Sequence, residues 1–312
     1  MSEIVGAILA GGRGSRMGKV GELVPKALLP VANRPAIAHH FDLLRRLGVT
    51  RVFVVVGHQA DALVAAVEGM DLGEFRVTFV DQGEAQGSAH ALGCLRGRIG
   101  GPFVLMLGDY LFDCDQPERM LARLASGSGG AIGVKIEADA ELVRQSCMVD
   151  AAEDGRVRGI IEKPVAPRSN LKGCGFYGFQ PEIFDAVART PRTALRDEYE
   201  LTVAIEVYVR LGLPFFAEQI IGWDANLTRP QDLLDCNLRW LTQLGAENLV
   251  AETASVHARL SLRHTVVGEG ANLRGEGRLE EVLVFPDAAS NVTSDISRTI
   301  IIGDGSVSCA GP

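Results

Sequence analysis

An α/β fold, with a mostly parallel mixed sheet covered by helices on both faces, is predicted by three observations. Short Val/Ile/Leu-rich runs alternate with segments of helical periodicity, a glycine-rich loop follows directly on the first run, and the pattern changes to a six-residue period near the C-terminus. Continuous apolar strands separated by helices are the mark of a sheet buried on both faces. The strand runs are Ile4–Leu9, Arg51–Val56, Phe75–Val80, Phe103–Leu107 and Ala131–Ile136. Between them Pro35–Leu47, Asp61–Val67, Gly87–Leu95 and Pro117–Ala125 read as helices. Pro35 suits a first helical turn, and Ile37, Phe41, Leu44 and Leu47 fall at helical spacing. Beyond Ile136, Val157–Ile161 and Gly175–Phe179 read as strands, and Glu200–Leu211 and Pro230–Leu244 as helices, completing the same sheet.

From about residue 255 Val267, Leu273, Leu279 and Phe285 recur every six residues, punctuated by Gly268-Glu269-Gly270 and Gly275-Glu276-Gly277. That period is the mark of a parallel β-helix, with a slip at Asn291. At ~60 residues it predicts a short stub of about three coils. The expected domains are 1–248, in halves 1–136 and 137–248, and 249–312.

The 312 residues are 47% hydrophobic and 22% charged, the profile of a soluble globular chain. A net charge of -8 argues against a nucleic-acid partner, which requires a broad basic face. Cys94, Cys114, Cys147, Cys174, Cys236 and Cys309 are scattered without C-x-x-C, so neither zinc nor a disulfide framework is indicated. The chain enters a strand by Ile4 without a basic leader, and no apolar run reaches ~18 residues. A reduced cytoplasmic setting without a membrane partner is the expectation.

The loop itself reads Leu9-Ala10-Gly11-Gly12-Arg13-Gly14-Ser15-Arg16-Met17, followed by Pro25-Lys26. Glycines allow close backbone approach, loop N–H groups can converge on an anion, and three cations stand at the same place. It is not a P-loop, because Gly18-Lys19 is followed by Val20 instead of a metal-binding hydroxyl. It is not a dinucleotide loop, because Met17 stands where the last glycine belongs and Gly57-His58-Gln59 offers no ribose acid. Ligands of such sheets bind beyond the strand carboxyl ends. Gly83–Ser88 and Gly108-Asp109 also follow strands, so they are expected on the same rim.

Taken in order, these motifs resemble the sugar-1-phosphate nucleotidyltransferases, or nucleotide-sugar pyrophosphorylases, over roughly residues 3 to 245. The resemblance rests on Leu9 to Met17, Pro25-Lys26, Gln86-Gly87-Ser88-Ala89, Gly108-Asp109, Glu162-Lys163-Pro164, Glu200-Leu201-Thr202, and Trp223 with Asn226. It implies the Rossmann-like fold of nucleotide-diphospho-sugar transferases, with a nucleotide half before residue 136 and a sugar-phosphate half after it. It also implies the family reaction: the sugar phosphate attacks the α-phosphorus of an NTP in line, giving NDP-sugar and pyrophosphate.

By resemblance, Arg16, Lys26 and Lys163 are catalytic. Leu9, Ala10, Gly11, Gly12, Gly14, Ser15, Gln82, Gly87, Ser88 and Asp109 bind nucleotide. Glu162, Lys163, Gly175 and Arg196 bind the sugar phosphate. Mg²⁺ is the implied cofactor, held by Asp109 and Asn226, with Asp224 as the fallback ligand. An amide at Gln82 can read uracil or thymine, and the guanylyl branch usually has an acid there, so UTP or dTTP is favoured. Two departures lie on the sugar side: Gln145-Ser146-Cys147 replaces a sugar-contacting glycine, and Val203 replaces an aspartate. The alternatives are a non-catalytic nucleotide-sugar-binding regulator, a guanylyltransferase acting on mannose 1-phosphate, and a bifunctional enzyme using His257 and His264 on the C-terminal segment. That segment is expected to support homo-oligomerisation.

Overall fold

A computed structural model describes residues 3–194, 197–303 and 305–309. It separates into two compact units, Met1–Arg13 with His40–Asp224, and Gly14–His39 with Ala225–Pro312. Among the described residues no helix is long and apolar enough to cross a membrane.

The first unit is built on a nine-stranded sheet. Val5–Leu9 lies between Phe103–Leu107 and Arg51–Val56, parallel to both, and Arg76–Asp81 extends the parallel run outward. Leu9 stands level with Val55 on one side and Leu107 on the other, so the strand carboxyl ends share one rim. The continuous apolar composition has its expected consequence: Ala7, Ile8, Val54, Val55, Leu105 and Met106 are all fully buried. Phe75, expected in a strand, precedes Arg76–Asp81 and packs edge-on against Phe41 instead.

Leu171–Phe179 makes the sheet mixed, running antiparallel to Gly130–Ile136, Cys147–Ala151 and Phe103–Leu107. Its first residues pair with Cys147–Ala151 and its last with Phe103–Leu107. The change of partner occurs at Gly175, which has φ +70 and would drive any Cβ into the Tyr110 ring. A glycine is required there by the backbone alone.

Phe215–Gln219, which has no obvious strand signature, pairs parallel to Gly130–Ile136. It buries Glu218, whose carboxylate takes Arg119 at 2.7 Å and Arg123 at 2.7 Å. A buried carboxylate persists only when so partnered.

In the second unit the C-terminal strands stack in parallel. Leu249 pairs with Val266, Val266 with Leu283, and Leu283 with Ile300, each rung 17 residues after the last. Val267, Leu273, Leu279 and Phe285 are buried, as the six-residue period predicts. The 17-residue rung explains the slip: the next inward position is Val292, and Asn291 is exposed. An antiparallel strand, Gly305–Ser308, closes the last edge.

The units do not divide at residue 248, because side chains of the C-terminal portion hold the segment after the glycine loop. Pro30–Val31 and Arg34–Pro35 form a hairpin with Ala32 and Asn33 in the left-handed region. Asn237, fully buried, accepts from the Ala32 N–H at 2.9 Å and donates to the Pro30 carbonyl at 2.9 Å. The Asn33 amide donates to the Val267 carbonyl at 2.9 Å. Replacing Asn237 by Leu strands two backbone groups in the interior. Asn237→Leu is expected to lower unfolding free energy by about 2–4 kcal/mol in urea titration; an unchanged midpoint would contradict this role.

Candidate functional site

In the first unit, the predicted rim residues lie where the parallel strands end. The Ala10 N–H donates to the Val55 carbonyl at 2.8 Å, and the Gly108 N–H donates to the Leu9 carbonyl at 2.8 Å. The Gly11 carbonyl then accepts from Gln82 Nε2 at 2.7 Å and from the His58 N–H at 3.4 Å. Gln82 is 8% exposed. A Cβ at Gly11 would collide with the Gln82 amide and crowd the Val56 backbone, so this approach needs glycine. With Nε2 committed to Gly11, Oε1 is the acceptor that Gln82 can present to a ligand.

Gly108 serves the neighbouring strand in the same way. A Cβ there would lie 3.0 Å from the Leu9 carbonyl and 3.1 Å from Ala10 Cβ. The half-buried Asp109 thus emerges beside the start of the glycine loop.

The third rim element is the turn Gln86-Gly87-Ser88, and Tyr199–Leu201 crosses it. The Tyr199 N–H donates to the Gln86 carbonyl at 2.8 Å, and the Ala89 N–H to the Tyr199 carbonyl at 2.8 Å. The Leu201 N–H donates to Ser88 Oγ at 2.9 Å. Ser88 therefore has a backbone task besides its expected contact with nucleotide. Gly87, at φ +113, has no room for a Cβ against the Tyr199 backbone.

In the second unit Gly14 has φ +64 and opens a turn, Ser15–Met17, anchored by the fully buried Met17. Ser15 and Arg16 are exposed. The half-buried Lys26 lies along Gly14, where a Cβ would meet Lys26 Cγ at 3.1 Å and Cε at 3.3 Å. The glycine makes space for the lysine stem, joining two motifs separated in sequence.

Among the residues expected to meet the sugar phosphate, Glu162 ends the strand Val157–Glu162, opposite Cys147. Lys163 adopts φ 48, a region unusual for a side-chain-bearing residue, and its N–H donates to the Ser146 carbonyl at 2.8 Å. Glu162-Lys163-Pro164 is thereby tied to Gln145-Ser146-Cys147, the stretch that departs from the family pattern. Both Glu162 and Lys163 are half-buried. Arg196 lies outside the described residues.

Asp224 and Asn226 have different surroundings. Asp224 is buried and its carboxylate meets Lys135 Nζ and Lys172 Nζ, each at 2.8 Å. Burial would depress the Lys135 pKa, but bonding to Asp224 and Glu137 outweighs it and leaves the net shift upward. Asp224 is thus committed to two ammonium groups, which disfavours its fallback role as a metal ligand. Asn226 is exposed, and its Oδ1 accepts from the Thr228 hydroxyl at 3.0 Å. Asp109 in the first unit and Asn226 in the second each carry a side-chain oxygen, the donor type that Mg²⁺ takes. Among the described residues no group of three or more His, Cys, Asp or Glu is arranged to hold a metal.

Among the described residues no activated nucleophile stands out. Burial pushes the Cys147 and Cys174 thiols well above their ordinary range and the Cys114 thiol up to about 12. The Tyr110 phenol is likewise raised, by burial and then by Asp224. His257 Nδ1 contacts the Gly275 carbonyl at 3.0 Å within the C-terminal strands. A groove of about 630 Å³ there is lined by His257, Arg259, Arg274 and Asn291 among others, and includes none of the residues predicted for nucleotide, sugar phosphate or metal. Sequence reasoning missed Tyr199, Lys135 and Lys172, whose roles arise from long-range contacts without local motifs.

Comparison with known proteins gives concordant matches. The family model described as nucleotidyl transferase matches residues 5–237. The chain is 32% identical over 262 residues to a low-salt glycan biosynthesis nucleotidyltransferase of Haloferax volcanii, covering 82% of this chain and 72% of that protein. It is 32% identical over 228 residues to a UTP–glucose-1-phosphate uridylyltransferase of the same organism, covering 72% of this chain and 91% of that one. A glucose-1-phosphate thymidylyltransferase of Streptomyces griseus is 30% identical, over 86% of this chain and 74% of its own length. A solved UDP-glucose pyrophosphorylase complexed with UDP-glucose has a TM-score of 0.67 at 20% identity, covering 78% of this chain and 100% of that one. That likeness concerns the fold.

The buried amide makes a separable prediction. Gln82→Leu removes the 2.7 Å donor to Gly11. It should lower stability by about 1–3 kcal/mol, seen as a lower Tm by calorimetry. An unaltered Tm would show that the bond does not hold the loop.

Proposed function

The chain belongs to the nucleotidyl transferase family, and from that premise we propose that it joins UTP or dTTP to a sugar 1-phosphate, forming an NDP-sugar and releasing pyrophosphate. The observation that carries the choice of base is the Gln82 amide, anchored through Nε2 to the Gly11 carbonyl at 2.7 Å. Its Oε1 can accept the N3–H that uracil and thymine share. A relative named for uridylyl transfer and another named for thymidylyl transfer support this pyrimidine reading.

The glycine-loop amides and Arg16 are assigned to the β- and γ-phosphates, where they stabilise the leaving pyrophosphate. Lys26 is assigned to the phosphates at the attacked centre. Glu162 would accept from sugar hydroxyls, while Lys163 and Arg196 would hold the sugar phosphate. One sugar-phosphate oxygen forms a bond to the α-phosphorus as the bond to pyrophosphate breaks. Such transfer depends on positioning and charge neutralisation. Asp109 and Asn226 are assigned to Mg²⁺, which would neutralise phosphate charge. The chain is further proposed to self-associate through its C-terminal strands; sedimentation at the 33.3 kDa monomer mass at all concentrations would contradict this.

A pyrophosphate-release matrix of four NTPs against sugar 1-phosphates, with and without Mg²⁺, tests the activity. Turnover is expected with UTP or dTTP only when both a sugar 1-phosphate and Mg²⁺ are present. Preference for GTP, or inactivity with every pair, would overturn the reading. Arg16→Ala and Lys26→Ala should each reduce kcat by roughly 100-fold or more in the same assay; wild-type rates would remove them from the chemistry. Asp109→Asn should raise the Mg²⁺ concentration needed for half-maximal rate, and an unchanged requirement would reject Asp109 as a ligand.

A further inference from the structure

The segment crossing the Gln86–Ser88 turn is fastened by a side chain as well as by backbone bonds. Arg192 Nη2 donates to Gln86 Oε1 at 2.8 Å. Its Nη1 donates to the Asp197 carbonyl at 2.6 Å and lies 3.3 Å from the Asp197 carboxylate. The guanidinium carbon stands 4.8 Å from the centre of the Tyr199 ring. One planar group therefore reaches the turn and the segment that crosses it together. A fork of donors with an aromatic-binding face is specific to arginine.

The partners are tightly constrained. The Thr193 N–H donates to the Glu198 carbonyl at 2.9 Å, and the Asp197 N–H donates to the Thr193 carbonyl at 2.9 Å. Asp197 has φ 53, a conformation that surrounding contacts must sustain. Gly87 lies too close to Tyr199 to admit a Cβ, so displacement of Tyr199 displaces the turn. An isolated exposed ion pair would matter little. Here one rigid group bridges two chain segments already in backbone contact.

We propose that Arg192 is a positioning residue for the nucleotide base: it fixes the Gln86–Ser88 turn by clamping Tyr199 and Asp197 over it, without itself touching substrate. This rests on the nucleotidyl-transfer reading for the identity of the ligand, while the clamp is a property of the free protein. Arg192 thereby extends control of base recognition beyond the turn to the segment that crosses it.

The test uses the full chain in two measurements. In pyrophosphate release at saturating sugar 1-phosphate, Arg192→Ala should raise the nucleotide KM roughly five- to twentyfold, while kcat stays within about threefold. Arg192→Lys keeps the charge but loses the fork, so its KM should fall between the two. Gln86→Leu should raise KM similarly, and the double variant should be no worse than either single one. An unchanged KM in Arg192→Ala, or fully additive effects, would overturn the proposal.

Amide hydrogen exchange without nucleotide provides the second readout. Exchange at Ala89 and Tyr199, whose N–H groups join the turn to its crossing strand, should accelerate in Arg192→Ala and less in Arg192→Lys. Equal exchange in all three proteins would overturn the clamp even if the wild type proved inert with every substrate pair. That inertness would instead defeat the activity reading.

Discussion

The Gly11 carbonyl is the point on which the rim at the start of the glycine loop depends. It receives the buried Gln82 amide, while the adjacent Leu9 and Ala10 backbone bonds to strand ends on either side. These contacts demand a residue without Cβ at Gly11 and another at Gly108. The demand is steric first and electrostatic second: only close backbone approach brings Gln82 and Asp109 beside the loop. A misplaced Gln82 would leave a buried donor unsatisfied and the Gly11 carbonyl with only the longer His58 bond, a cost that favours one arrangement.

The buried charges of the first unit are neutralised in pairs. Glu218 is held by two arginines, and Asp224 by two lysines. Their pairing allows the first unit to contain charged groups without leaving them uncompensated. Burial also pushes the Cys147 and Cys174 thiols well above their ordinary range.

Much of this was legible in the sequence. Runs such as Phe103–Leu107 declare themselves because both faces of the strand are apolar, and the strand-to-glycine transitions at Gly11 and Gly108 mark the rim. Phe215–Gln219 was not legible, because Glu218 looks unsuited to burial until Arg119 and Arg123 are brought to it. The association of Gly14–His39 with the C-terminal portion depends on Asn237 and Asn33, amides with no local motif. The orientation of Gln82 was likewise hidden: its residue type suggested base recognition, but only the fold commits Nε2 to Gly11. The six-residue period identified the inward C-terminal positions, whereas the 17-residue rung required knowledge of strand pairing.

The central claim is that the site performs a single displacement between positioned phosphates, with no protein nucleophile. The most direct measurement is the stereochemical course at the α-phosphorus, using a nucleoside triphosphate made chiral there by sulfur substitution. One in-line attack inverts that centre in the NDP-sugar product, and inversion is the predicted result. Retention would require two displacements through a covalent nucleotidyl-enzyme and would contradict the account.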